Sequence, residues 1–380
     1  MKAGRERIEF LTTSIGRGHR FYLAGVARSI ANLEPRINIS FHRAPVESGL
    51  LGKGLWSAIH RAYKIGSSSG RVGKKYEKLR QTKRVGSVGF FEKLLAGGLK
   101  RFLTGSDAPL VVDHPLLVTL ADYLKVKRQI IYMHGELVAP DDSLTPAPDL
   151  TLVPTDEVRM RFISAGADER GVVVTGSCIE SGLTHFLKPA LKERLARIEV
   201  KGSLTGVFYS SGAEPQEHLR KIICGVKSIL SSGHRAMVFA QSGGALEKRI
   251  KSLAGPENME LVSYDSIERE EELLVERFEK LDFFVAPSHE RVNWAVAGGL
   301  PMFMIGPAFG TFAPLNWRLG IQRGVAAPVD STADSRELGN MLESLRRSGK
   351  LSEMARNGFG DLPYDGFKKG AEILLERLRT

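Results

Sequence analysis

The residue types best suited to chemistry fall in a few short loops. Gly16-Arg17-Gly18-His19 follows an apolar run and precedes a helical pattern. Glycines there allow close backbone approach, and an imidazole in the first helical turn titrates near neutrality and takes a proton from a hydroxyl. His19 is therefore the candidate general base, with a helix-capping histidine as the alternative. Ser210, Ser211 and Gly212 form a second such loop, whose hydroxyls and backbone amides suit a diphosphate; a plain strand-to-helix turn explains them equally well. His114, after Asp113, and His134, before Glu136, stand at expected strand ends. Each suits acceptor binding or a second base, or else is a satisfied structural histidine. The Glu268, Glu270, Glu271 and Glu272 cluster around Arg269 reads as a solvated helix face.

The elements that must position these loops alternate along the chain. Strands are expected at 8–12, 38–42, 110–112, 129–133, 150–153 and 172–175, with helices such as 115–124 and 155–166 between them. Buried strands alternating with helices imply a parallel sheet, and ligands bind beyond the carboxyl ends of such strands. After a charged stretch, Leu191 to Lys201, read as an interdomain connection, a second series begins. It has strands at 204–209, 235–240, 259–263, 282–286 and 301–305, and helices at 215–231, 267–280 and 291–298. The expected fold is α/β with two Rossmann-like domains: residues 1–190 carrying a basic amphipathic insertion at 50–105, and residues 200–350. Residues 351–380, with Leu374, Leu375 and Leu378 at helical spacing, are expected to form a helix returning to the first domain.

Composition excludes several classes. The chain has 380 residues, 42% of them hydrophobic, enough for two cored domains. Its two cysteines, Cys178 and Cys224, each read as buried, give neither a disulfide scaffold nor a thiolate zinc site and fit a reducing cytoplasm. The start, MKAGRERIEFL, shows no secretory signal, and Asn293 to Gly310 is too broken to span a bilayer. The formal net charge is +11, and between Leu50 and Gly105 there are 13 basic residues against two acids, so the remainder is balanced. Such a patch attracts an anionic lipid surface or nucleic acid. Two amphipathic stripes inside it, Leu51-Leu55-Ile59-Tyr63 with Trp56 and Phe91-Leu95-Leu99-Phe102, favour a bilayer interface and make nucleic acid the weaker partner; the alternative is that both stripes face the core. Gly66 to Gly89 reads as a mobile loop.

The segments TTSIGRGHRFYLAGVARSI, VVDHPLLVTLADYLKVKRQIIYMHGE, LTLVPTDEVRMRFISAGADERGVVVTGS and WAVAGGLPMFMI resemble inverting GT-B glycosyltransferases that join nucleotide sugars to lipid acceptors. The likeness is to the monogalactosyl- and glucosyl-diacylglycerol synthases and to the N-acetylglucosaminyltransferase of the lipid-linked peptidoglycan precursor, and it runs with gaps from about residue 8 to 330. The resemblance implies two facing domains, a peripheral position on the inner face of the cell membrane through residues 50–105, a UDP-type nucleotide sugar as substrate, and no metal or other cofactor. It implies that His19 is the base or an essential acceptor-side residue, with Gly16 and Gly18 its loop glycines; Arg17, His114, His134 and Glu136 join them on the acceptor side from their places in the loops alone, and the Ser211-Gly212 loop and the helix at Asn293 are expected to offset charge on the leaving diphosphate.

The second domain departs from that pattern. The family's ribose-binding Glu falls on Trp294, and Pro287-Ser288-His289-Glu290 replaces a glycine-rich stretch, so Glu290 is either a substitute carboxylate for the ribose or a helix-capping glutamate. Asn316 matches a family Asn and Gly324 a family glycine, but Phe312, Ala313 and Pro314 stand where polar donor-reading residues are expected. A nucleotide-sugar epimerase or hydrolase of the same fold, and a non-catalytic sugar- or nucleic-acid-binding relative with a decayed donor site, are the competing expectations.

Overall fold

The protein is described by a computed structural model covering residues 7–13, 17–66, 88–253, 255, 257–360 and 362–379. It divides into two compact units, the first made of the described residues up to Ser181 together with those from Asp365 onward, the second of Gly182–Tyr364.

In the first unit a six-stranded sheet contains β1 (Arg7–Thr12), β2 (Asn38–Arg43), β3 (Leu110–Val112), β4 (Ile130–Met133), β5 (Leu150–Val153) and β6 (Val172–Val174). The order is β2-β1-β3-β4-β5-β6, and every pairing is parallel. Helices α1 (Arg17–Leu33), α2 (Ala44–Glu47), α3 (Gly49–Gly66), α4 (Phe90–Thr104), α5 (Pro115–Tyr123) and α6 (Asp156–Ser164) connect and cover it. Local chemistry sets the helix starts. His114 and Pro115 stand at the N-cap and first positions of α5, and the Thr155 hydroxyl accepts from Val158 N at 3.2 Å ahead of Asp156 and Glu157. The runs IIYM of β4 and LTLV of β5 are buried throughout, as expected where helices cover both faces of a sheet.

The second unit repeats the plan, with α7 (Leu187–Glu199), β7 (Thr205–Tyr209), α8 (Gln216–Ser231), β8 (Arg235–Gln241), α9 (Ala245–Lys251), β9 (Met259–Tyr264), α10 (Ile267–Val275), β10 (Phe283–Ala286), α11 (Val292–Val296), β11 (Met302–Ile305), α12 (Ala313–Gln322), β12 (Ala326–Val329), α13 (Thr332–Arg336), α14 (Leu338–Arg347) and α15 (Lys350–Asn357). Its strand order is β12-β11-β10-β7-β8-β9, again parallel. The stretch read as a connection is instead helix α7, which belongs to this unit and buries Leu187, Ala190, Arg194 and Ile198. The division after residue 350 is also displaced: α15 stays in the second unit, and only α16 (Gly366–Arg379) returns to the first.

Helix α16 lies against α1 in the same core as Ile8, Phe10 and Leu152. Phe367 meets Phe21 edge-on with ring centroids 5.2 Å apart, and its ring occupies the space where a Cβ at Gly25 would stand, 2.4 Å away. The opposite face of this sheet corrects the interfacial reading of the stripes. Trp56, Leu95 and Leu99 are core residues, with Leu55, Ile59 and Phe102 packed against them, and Trp56 Nε1 donates to Ser48 Oγ at 2.9 Å. The Leu51 and Tyr63 side chains, and 67–87 of the segment read as a mobile loop, lie outside those described. What α4 leaves exposed is Phe90, Phe91 and Leu94. Among the described residues no helix is long and apolar enough to cross a membrane. Cys178 is buried, but Cys224 is only half-buried.

Phe367→Ala, which empties a fully packed aromatic position, is expected to destabilise the first unit by about 3–5 kcal/mol. Hydrogen exchange should then accelerate in peptides from α1, β1 and α16 while peptides from 205–305 keep wild-type protection.

Candidate functional site

In a doubly wound parallel sheet, ligands bind past the strand carboxyl ends where the winding reverses. In the first unit that place lies between β1 and β3. The residues arriving there are Thr12 and Thr13 from β1, His19 in the opening turn of α1, and Asp113 and His114 after β3. The His19 and His114 rings are 5.0 Å apart between centroids, inclined at 51°. His114 Nδ1 accepts from Leu116 N at 3.1 Å, so in the neutral ring the proton sits on Nε2. Asp113 is 1% exposed. Burial raises its pKa, while the charge of His19, the Thr12 hydroxyl and the Thr13 backbone pull the other way. The arrangement is a buried carboxylate within electrostatic reach of an imidazole. Arg17 and Gly18 form the first turn of α1, and Gly16 lies outside the described residues.

His134 follows β4 in the neighbouring loop, but both ring nitrogens are engaged: Nε2 with Val138 O at 3.0 Å and Nδ1 with the Tyr132 hydroxyl at 3.3 Å. Burial is the main cause lowering its pKa to about 4, so the ring is neutral and serves the loop. Gly135 is required beside it, since a Cβ would fall 2.1 Å from the Tyr22 ring of α1. Half-buried Glu136 lies near Tyr132 and Cys178. Burial, then the negative charges of Asp113, Asp142 and Glu136, push the Tyr132 phenol well up, and burial likewise raises the Cys178 thiol, leaving it unreactive. Three carboxylates thus gather near one buried phenol. Sequence reading passed over Asp113 and Asp142 as participants; the signal for Asp113 was its place directly after a three-residue apolar strand.

In the second unit the reversal lies between β7 and β10. The Ser210 hydroxyl is buried and has no hydrogen-bond partner among the described residues. The turn that follows is closed by Glu214 N donating to Ser211 O at 3.0 Å, and is fixed by the Glu214 carboxylate, which accepts from Ala245 N at 2.7 Å and Leu246 N at 3.1 Å. Gly212 faces open space, so packing does not demand a glycine there.

Opposite this turn, Arg291 is buried with its guanidinium 4.1 Å over the Tyr209 ring, paired with Glu270 and 3.4 Å from Glu290. Glu270 and Glu271 are therefore buried, which corrects the reading of that helix as a uniformly solvated acidic face. Trp294 packs edge-on against Tyr209 and Phe284, so the position of the expected ribose carboxylate is part of the core. Asn293 and Asn316 are both buried, at 3% and 1% exposure.

Two further residues brace this end of the sheet. Lys221 Nζ donates to Gly306 O and Asp330 O, both at 2.6 Å, tying the ends of β11 and β12. His218 Nε2 donates to Pro307 O at 2.8 Å, and burial lowers its pKa to about 4. No group of three or more metal-ligating side chains occurs among the described residues.

No family model matches the chain, and no curated relative matches it by sequence. Solved structures do. The Staphylococcus aureus MnaA–UDP co-structure aligns at TM-score 0.58 and 11% identity over 98% of this chain and 96% of that one. MurG from Acinetobacter baumannii aligns at 0.58 and 13%, covering 97% and 99%. UDP-GlcNAc 2-epimerase from Neisseria meningitidis bound to UDP-GlcNAc aligns at 0.54 and 12%, covering 98% and 99%. The chain has the GT-B fold.

Because His134 and His218 protonate near 4 in the folded protein against an ordinary value of 6.5, the unfolded chain takes up protons first as pH falls. Their stabilising contribution is complete above about pH 6.5 and is lost towards pH 4. Urea midpoints should decline over that interval, and His134→Gln should flatten the decline.

Proposed function

We propose that the chain is a sugar-nucleotide enzyme in which the first unit supplies proton transfer and the second the loops for a nucleotide diphosphate. The observation that carries this reading is the meeting of His19 and His114, their rings 5.0 Å apart, with buried Asp113 within electrostatic reach, at the strand-order reversal. Within that class we favour inverting transfer to a hydroxyl of a lipid or lipid-linked acceptor. His19 takes the proton as the acceptor oxygen attacks the anomeric carbon, Asp113 steadies the imidazolium, and the departing diphosphate is met by the Ser210-Ser211-Gly212 loop, with Glu290, Asn293 and Asn316 on its border.

Support for a membrane-bound acceptor is the concentration of positive charge in 50–105 and the exposed Phe90, Phe91 and Leu94 beside Lys93. An anionic inner-leaflet surface is the partner these suit. The buried stripes mean that only this exposed edge, rather than the whole helices, would touch lipid.

A second reading, epimerisation or hydrolysis of the nucleotide sugar, draws on the Asp113, Glu136 and Asp142 carboxylates around Tyr132. Such acids serve proton abstraction at carbon without any acceptor. The fold likeness to a protein solved with UDP-GlcNAc is compatible with both readings.

Incubation with a panel of UDP- and GDP-sugars, with and without vesicles carrying a polyprenyl-phosphate or diacylglycerol acceptor, separates them. Transferase action releases free nucleotide only with acceptor; the second reading gives sugar conversion or nucleotide release without it. His19→Ala is expected to lower kcat by about 10²–10⁴ with Km for the donor little changed. An unimpaired His19→Ala enzyme, or no donor binding by calorimetry, removes the proposal.

A further inference from the structure

The second unit also has a cavity of about 720 Å³ at the opposite ends of its strands, lined by Ser203 just before β7 and His234 just before β8. It is closed by the end of α7, the end of α14 and the start of α15. Two of its lining carboxylates are already balanced: Glu199 pairs with Arg356 at 3.0 Å, and Glu343 pairs with Arg346 at 3.2 Å and lies 3.1 Å from His234 Nε2. Arg346 is further occupied by backbone carbonyls, among them Ile198 O at 2.9 Å and Gly202 O at 2.7 Å, and so is a structural clamp. That leaves two lining cations in excess. Lys201 has no ion pair among the described residues, and Arg347 engages only its own helix, through Nε to Glu343 O at 3.2 Å.

Helix α15 opens into the same cavity. Its N-cap is Gly349, at φ 75°, which provides no side-chain acceptor for the first-turn amides, and Glu353 of that turn is exposed and does not line the cavity. Uncapped amides at a helix start attract an anion. Independently of the helix start, Ser352 is 5% exposed, lines the cavity and has no hydrogen-bond partner for its hydroxyl among the described residues.

We propose that this cavity is a binding site for a phosphorylated small molecule, the phosphate capping α15 and contacting Ser352, with Lys201 and Arg347 supplying the countercharge. The volume exceeds that of a bare phosphate and lies within the usual 300–1,000 Å³ range of metabolite pockets. At the amino ends of β7 and β8, it is separate from the loops proposed to hold the donor diphosphate.

The test uses inorganic phosphate and pyrophosphate as probes, read by calorimetry and thermal shift on the full chain. Lys201→Gln/Arg347→Gln and Ser352→Ala are the variants, and Ser211→Ala is the control for the donor loop. Affinity for inorganic phosphate is expected to fall roughly tenfold or more in the double variant and several-fold in Ser352→Ala, whereas Ser211→Ala lowers only the separate donor-loop component of pyrophosphate binding. Because Lys201 and Arg347 make no structural ion pair, their replacement should leave the unliganded melting temperature unchanged. Equal probe binding by wild type and the double variant, loss confined to Ser211→Ala, or no binding at millimolar probe overturns the proposal.

Discussion

Parallel strands wound outward from the middle of a sheet must send two neighbouring connections to opposite faces, and the gap this opens is the constraint on which the functional reading depends. Strands flanking the gap end in bare backbone groups, and helices leaving them point amide N–H groups back towards it. In the first unit the gap separates β1 from β3 and receives Thr12, His19, Asp113 and His114; in the second it separates β7 from β10 and receives Ser210, Arg291 and Glu290. Chemistry that looks scattered over 280 residues of sequence is gathered by one topological rule applied twice.

The two gaps are furnished differently. The first holds a carboxylate whose burial is partly offset by an imidazole and two threonines, so its proton affinity answers to its neighbours. The second holds a guanidinium stacked on Tyr209 and paired with Glu270. A buried pair of that kind is strongly destabilised when one partner is removed, yet contributes little net stability against a well-packed apolar pair, and its attested use is to fix one arrangement over others. In this chain it fixes the residues bordering the Ser210 turn, in a place where a glycine-rich stretch would instead have left backbone exposed.

Much of the architecture was legible because buried parallel strands read as short apolar runs: IIYM, LTLV and MFMI declare themselves. Edge strand β12, AAPV, did not, since two alanines and a proline carry little strand signal and an edge tolerates them. Helix α7 was hidden because one of its inward positions is Arg194, which looks solvated in sequence but donates to Leu281 O at 2.9 Å and Gly299 O at 2.8 Å. Periodicity revealed the stripes of α3 and α4 without saying what they face, because a core and a lipid surface demand the same pattern. His19 was visible from its glycines, whereas the Arg291–Glu270 pair joins residues 21 apart on two helical segments, and no local rule links them.

The path of the chain has a consequence for biogenesis. Residues 182–364 form a unit of their own, while the helix that completes the first sheet's covering is contributed by 366–379. Synthesis therefore delivers everything the later unit needs before the earlier one has its last packing partner, so that α1 leaves the ribosome with an apolar flank bare around Gly25. The usual amino-first sequence of maturation is inverted: the earlier half stays partly assembled until 366–379 has been made.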